Sequence, residues 1–165
     1  MKNSPVMHPQ VPEAGDSQKT KLLIPIDATE ESRWAIHYAI RRARAGTSVE
    51  VYLLYIVEPV KNWEVLRFHT EQEVRQRFEE RSAFFLEEAA QALLAAGIPC
   101  HRFSREDELV HGIQAFAEEK GCTEIVVPRL AFFGLFPYGI GAKLASKRSN
   151  VPVVLTTEDG SSEPE

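Results

Sequence analysis

The sequence has few of the features that would assign a function directly. Its 165 residues include two cysteines, Cys100 and Cys122, without the spacing of metal ligands. No apolar run approaches the ~20 residues of a membrane-spanning helix, and residues 1–20 have no apolar signal core. The net charge of −5 gives no reason to expect binding to a DNA or RNA backbone. We therefore expect a cytoplasmic protein that binds neither nucleic acid nor membranes.

Motifs of the common enzyme classes are also missing. The sequence has no G-x-S-x-G elbow and no P-loop lysine motif. His37, His69, His101 and His111 have no serine, cysteine or carboxylate partner in a recognisable triad arrangement. We predict no catalytic residues, no metal site and no enzymatic activity. Both cysteines are expected beside buried strands as small apolar residues, and a regulatory disulfide between them is the alternative.

What the chain does contain is a regular alternation of strands and helices. Five short apolar strands are predicted at 21–27, 48–57, 98–104, 125–127 and 151–155. Helices are predicted between them, at about 29–45, 71–96, 108–120 and 138–149. Nearly continuous apolar strands are typical of a parallel sheet that is buried on both faces. The pattern predicts one α/β domain at 21–157, with disordered tails at 1–20 and 158–165.

Two helices carry additional information. The first is expected to use Thr29 as its N-cap and to lie close on the sheet through a stripe of small residues, Ala35, Ala39 and Ala43. The second would be about 39 Å long, which exceeds the length of a short strand, so it must overhang the sheet or bend. Its buried face is predicted to contain Val74, Phe78, Phe85, Ala89, Ala92 and Ala96. The polar third strand is predicted to be an edge.

The segment after the fourth strand is the predicted ligand loop, because ligands of parallel sheets bind where loops leave the carboxyl ends of strands. Residues 128–141 have an unusual composition for such a loop. Phe132, Phe133, Phe136 and Tyr138 are crowded among three glycines. These aromatic side chains either form an exposed patch for a protein partner or pack over the pocket or against the long second helix.

The sequence resembles the universal stress protein family over 21–157. The resemblance is carried by KLLIPID…EES…A at the first strand and helix, and by EIVV…G…VPVVL at the end of the domain. It implies a three-layer α/β/α sandwich with a five-stranded parallel sheet in the order 3-2-1-4-5. It also implies a ligand cleft between strands 1 and 4. A homodimer, often joined through the last strand at Val151–Leu155, is a further implication.

One branch of that family binds ATP with the pattern G-x2-G-x9-G-[ST] after the fourth strand. When Gly141 is laid on the last glycine, Pro128 and Ala131 replace the first two glycines and Ala142 replaces the hydroxyl residue. A phosphate loop needs glycines so that backbone N–H groups can approach the anion, and proline has no N–H. Two lost hydrogen bonds of about 1.5–3 kcal/mol each weaken affinity roughly 10²–10⁴-fold. The resemblance therefore indicates a degenerate ATP loop, and the cofactor stays unassigned.

The resemblance implies a set of positions that form the family's ATP pocket. In this chain these positions either still form a binding site or are vestigial. Asp27 either faces a ligand there or only braces the first turn. Arg129, Lys143 and Lys147 either supply positive charge in place of the lost donors or belong to a solvated face. The implied cofactor-binding positions are Pro25, Ile26, Asp27, Ile56, Val127, Pro128, Arg129, Ala131, Gly141, Ala142 and Lys143.

These observations favour a non-enzymatic stress-response protein that does not hold ATP in the usual way. The first alternative is a nucleotide- or small-molecule-binding switch that takes an ATP- or AMP-like ligand in the cleft between strands 1 and 4. The second is an interaction module that uses the aromatic loop at 132–138.

Overall fold

The computed structural model describes residues 18–59, 67–129, 143–144 and 147–162. As far as the fourth strand, the strands and helices alternate as the sequence predicts, and a short 3-10 turn at Glu31–Arg33 precedes the first helix. The predicted tail at 1–20 and the predicted helix at 138–149 lie mostly outside the described residues. The elements are β1 (Thr20–Pro25), α1 (Trp34–Arg44), β2 (Val49–Val57), α2 (Glu71–Ala95), β3 (Cys100–Glu106), α3 (Leu109–Glu119), β4 (Glu124–Pro128) and β5 (Val153–Thr156).

The five strands form one parallel sheet in the order β3-β2-β1-β4-β5, which confirms the predicted topology. β1 is central, and its side chains alternate between two separate apolar layers. Leu22 and Ile24 pack with α1 and α2 on one face. Leu23 packs with α3 and Leu144 on the other face. The continuous apolar pattern of the strands therefore reflects burial on both faces.

The start of α1 differs from the prediction that Thr29 is its N-cap. The N–H and the hydroxyl of Thr29 both donate to Asp27 Oδ1, at 2.7 and 2.5 Å. The chain then enters the helix through the 3-10 turn without a side-chain cap. The prediction was wrong because the carboxylate two residues earlier forms a local turn that uses the Thr29 hydroxyl.

The long helix α2 overhangs the sheet, as its predicted length requires. None of its residues from Glu71 to Arg81 is buried, and its buried residues begin at Ser82. Thr70 and Glu73 form a capping box at its start. The predicted buried face is wrong at Ala92 and Ala96, which are exposed. The positions turned inward are Ser82, Leu86, Ala89, Ala90 and Leu93.

Residues 158–162 belong to the segment that the composition predicts to be a disordered tail. Residues 157–162 form a turn, called here the C-terminal clasp, that packs on α1. Asp159 organises it by accepting hydrogen bonds from the Thr157 hydroxyl and from the N–H and hydroxyl of Ser161. Ser162 pairs with Thr156 in an antiparallel bridge. Side chains of this segment thus bond both within the turn and to α1.

The two cysteines lie on opposite faces of the sheet. Cys100 packs against the layer under α1 and α2, whereas Cys122 belongs to the layer under α3. Both are free thiols, so the alternative of a disulfide between them is wrong for this fold. The described helices include none that is long and apolar enough to cross a membrane.

Candidate functional site

A cavity of about 500 Å³ lies at the carboxyl ends of β1, β2 and β4. Its position follows from the topology. β1 is hydrogen-bonded to β2 on one side and to β4 on the other, so the chain leaves these strands toward opposite flanks of the sheet. The point at which the strand order reverses is the usual position of a ligand cleft in an open parallel sheet.

The walls of the cavity are mainly apolar and come from four elements and the turn after β1. Six of the predicted pocket residues line it, namely Pro25, Ile26, Asp27, Ile56, Val127 and Pro128. Five further lining residues were not predicted, namely Thr29, Glu31, Ser32, Leu54 and Leu109. Leu54 was detectable as an apolar residue at the end of β2, whereas Leu109 reaches the cavity only because α3 begins there.

The structure describes two of the other predicted pocket positions, and neither lines the cavity. Arg129 and Lys143 are exposed and are not among its lining residues. Arg129 donates its backbone N–H to Thr156 O at 2.7 Å, so it continues the pairing of β4 with β5. Lys147 lies 3.7 Å from Glu108, which supports the view that it belongs to a solvated face. Ala131, Gly141, Ala142 and the aromatic loop at 132–138 are outside the described residues.

Asp27 both braces the turn after β1 and lines the cavity. Its Oδ1 atom accepts the two hydrogen bonds from Thr29. Ser32, which is 4% exposed, donates from its hydroxyl to Thr29 O at 2.9 Å and so fixes the same turn. Within the described part of the chain, no group donates to Asp27 Oδ2. One carboxylate oxygen therefore holds the backbone, and the other is available as an acceptor at the cavity.

A pair of carboxylates lies at the start of α3. Asp107 Oδ1 accepts from the N–H of Glu108 at 2.8 Å, and Glu58 Oε1 accepts from the N–H of Leu109 at 3.4 Å. His111 Nδ1 lies 3.1 Å from Asp107 Oδ1. The hydrogen bond to His111, together with the one from the N–H of Glu108, lowers the pKa of Asp107. Leu109 is also a wall of the cavity, so these carboxylates occupy the helix end nearest to it.

Gly112 packs this end of α3 tightly against the sheet. A Cβ at this position would lie 2.9 Å from Asp107 Cβ and 2.9 Å from Ile56 Cδ1. Only a glycine permits that approach without displacing a neighbour. The contact therefore fixes Ile56, a wall of the cavity, relative to the turn that holds Asp107.

The described residues contain no cluster of three or more histidine, cysteine or acidic side chains that could hold a metal ion. None of the four histidines named above is among the lining residues of the cavity. The site thus has apolar walls, a small number of hydroxyl and carboxylate groups, and a braced turn. Such a set of groups can bind and orient a small ligand.

Fold and cleft together define an open parallel α/β protein with a ligand cleft at its topological switch point. Residues 19–131 match the model of the Universal stress protein family. The chain belongs to this family. A search of curated protein sequences gives no significant match.

Solved structures show the same fold at low sequence identity. A protein of this family from Burkholderia pseudomallei is 16% identical with a TM-score of 0.65, over 86% of this chain and 97% of that chain. A universal stress protein in complex with cAMP is 15% identical with a TM-score of 0.63, over 83% and 96% of the two chains. A family protein from Arabidopsis thaliana, At3g01520 with AMP bound, is 14% identical with a TM-score of 0.61, over 84% and 91%.

Proposed function

We propose that this chain is a non-enzymatic regulatory protein of the stress response whose cleft binds a small ligand of the adenine class. The observation that carries this proposal is the cavity of about 500 Å³ at the switch point of the sheet. Its volume and apolar walls suit a flat heterocycle. The relatives with cAMP and with AMP support the adenine class.

The proposal does not include ATP bound in the usual way. Pro128 stands at the first glycine position of the ATP pattern, and it is buried inside β4, paired with Thr156. It therefore has neither an N–H nor a free loop conformation to offer to a phosphate. We expect no significant ATP hydrolysis. Turnover of ATP by the purified protein that disappears in an Asp27→Ala variant would contradict this part of the proposal.

Calorimetric titration of the full chain with adenine, adenosine, AMP and ATP tests whether the cleft binds this class. Binding of at least one of the four compounds is expected. An Ile56→Phe substitution fills part of the cavity, so it should abolish that binding. Ile40→Phe is the matched control, because Ile40 is also half-buried but packs on the opposite layer under α1. Binding that survives Ile56→Phe, or no binding of any compound, would refute the proposal.

We further propose a cytoplasmic homodimer that associates through β5. This strand is at the edge of the sheet, and its apolar residues Val153, Val154 and Leu155 are only half-buried. An open apolar edge readily pairs with a second chain. Light scattering after size exclusion should give twice the mass of 18.6 kDa, and a monomer at micromolar concentration would refute the proposal.

A further inference from the structure

In the part of the cleft that the structure describes, three backbone N–H groups already donate to the chain's own carboxylates. N–H groups at the start of a helix are the usual binding site for a phosphate. Here Asp27 accepts from Thr29 before α1, while Asp107 and Glu58 accept from Glu108 and Leu109 at the start of α3. A phosphate that approached the N–H of Thr29 in the turn after β1, or those of Glu108 and Leu109 at the start of α3, would have to displace a carboxylate that carries the same sign of charge.

The charged residues in the described wall of the cavity are negative, as a phosphate is. Asp27 and Glu31 are the charged residues among the described lining residues, and both are acidic. The wall is otherwise apolar, apart from the hydroxyls of Thr29 and Ser32. Apolar walls lower the local dielectric constant and strengthen the repulsion between these carboxylates and an anionic ligand.

The same groups favour a ligand that donates hydrogen bonds. Asp27 lines the cavity, and its Oδ2 atom has no donor within the described part of the chain, so that atom can accept from an N–H or hydroxyl of a ligand. Ionised carboxylates act only as acceptors. Pro25, Val127 and Ile56 provide apolar surface against which a flat ring can pack.

From these three observations we infer that the cleft selects uncharged nucleosides and excludes their phosphorylated forms. The inference rests on the proposed function, because it specifies which adenine compound the cleft takes. The discriminating residues are Asp27 and Glu31 at the wall, with Asp107 and Glu58 blocking the nearer helix start. The expected ligand is a neutral ring system that carries hydroxyl or amine donors.

The experiment compares adenosine, AMP and ATP, with and without Mg²⁺, by calorimetry on the full chain at low salt. Adenosine should bind at least ~10-fold more tightly than AMP. The ratio should shrink as salt is raised, because salt screens the repulsion. AMP or ATP binding as tightly as adenosine, or more tightly, would overturn the inference and leave the proposed function standing. If none of the compounds binds, the proposed function fails and the inference fails with it.

Variants that remove charge provide a second readout. Glu31→Gln should lower the ratio of the affinities for adenosine and AMP several-fold. Glu79→Gln, on the exposed face of α2, is the control for this comparison. Both substitutions keep the side-chain shape and remove one negative charge. An unchanged preference in Glu31→Gln would show that Glu31 does not discriminate against phosphate and would overturn its assigned role.

Discussion

Gly160 lies directly on the backbone of His37. A Cβ built at Gly160 would be 2.5 Å from the carbonyl carbon of His37 and 2.6 Å from the N atom of Tyr38. Two side chains of the same helix also hold the C-terminal clasp. His37 Nδ1 is 2.7 Å from Glu158 O, and Arg41 Nη1 is 3.3 Å from Asp159 Oδ2. The clasp thus joins α1 to the end of the edge strand β5.

Replacing Gly160 with alanine should release or strain the clasp. Its φ of +77° is in the left-handed region, where an L side chain costs about 1–2 kcal/mol. The clash with α1 adds to that cost, so we expect a loss of roughly 2–4 kcal/mol in the free energy of unfolding, limited by the energy of detaching the clasp. Urea denaturation monitored by circular dichroism measures the change.

Gly121→Ala is the matched control for this experiment. Gly121 has a φ of +63°, but a Cβ there meets no atom within 4 Å. The Gly121→Ala variant should therefore show the same conformational cost of about 1–2 kcal/mol without the clash. Equal losses in the two variants would mean that the contact between Gly160 and His37 contributes nothing to stability.

The sequence was sufficient to predict the sheet and insufficient to predict the clasp. Buried apolar runs such as 22–24 and 125–127 determine strands wherever the fold buries both faces. The clasp depends on Asp159 and Arg41, residues 118 positions apart, and no local pattern connects them. The residues that line the cavity also divide into those that the sequence predicted and those that it did not. Strand-end residues Pro25, Ile56 and Val127 were predicted, whereas Leu109 and Glu31 were not, because the packing of helices brings them there.

The clasp should loosen in acid. Hydrogen bonds from Thr157 and Ser161 hold the pKa of Asp159 well below its usual range. A depressed pKa in the folded state stabilises the clasp above the ordinary aspartate value of about 3.9, and this contribution is lost as the pH falls toward the lower, folded value. The amide resonances of Gly160 and Ser161, followed by NMR between pH 7 and pH 2, should shift below about pH 4.

Asp159→Asn tests which group is responsible for this acid response. The carboxamide does not ionise in this range, so the clasp resonances of the variant should lose the transition. Other acidic groups with lowered pKa values, such as Glu50 and Asp107, remain in both proteins and control for general acid effects. An identical transition in the variant would assign it to a different group.

The two thiols should differ in reactivity and should not pair. Burial raises the pKa of the Cys122 thiol to about 11 and also raises that of Cys100, which is only half-buried. Because the thiolate is the reactive form, iodoacetamide at pH 8 should modify Cys100 first and Cys122 only when the chain unfolds. Peptide mass spectrometry measures both rates. Faster labelling of Cys122, or an intramolecular disulfide after mild oxidation, would contradict this arrangement.

Tyr38 connects α1 to the start of β4 through a partly buried polar network. Its hydroxyl donates to Glu124 Oε2 at 2.9 Å and accepts from Arg42 Nη1 at 2.6 Å. Tyr38→Phe leaves the carboxylate with one donor fewer, so the free energy of unfolding should fall by about 1–2 kcal/mol at pH 7. Tyr52→Phe is the control, because Tyr52 stacks on Phe103 and its hydroxyl makes no hydrogen bond within the described part of the chain.

Measurements of stability at alkaline pH distinguish the effect of ionising Tyr38 from the effect of its packing. Burial, followed by the bond to Glu124, raises the pKa of Tyr38 above its ordinary value. A raised pKa in the folded state stabilises the protein fully below the unfolded value of about 10, and this contribution disappears as the pH rises through the folded value. The wild-type protein should therefore lose more stability between pH 9 and pH 11 than Tyr38→Phe does. Equal losses of stability in the two proteins would show that the Tyr38 hydroxyl ionises as easily in the folded chain as in the unfolded chain. Its hydrogen bonds to Glu124 and Arg42 would then not help to hold α1 against β4.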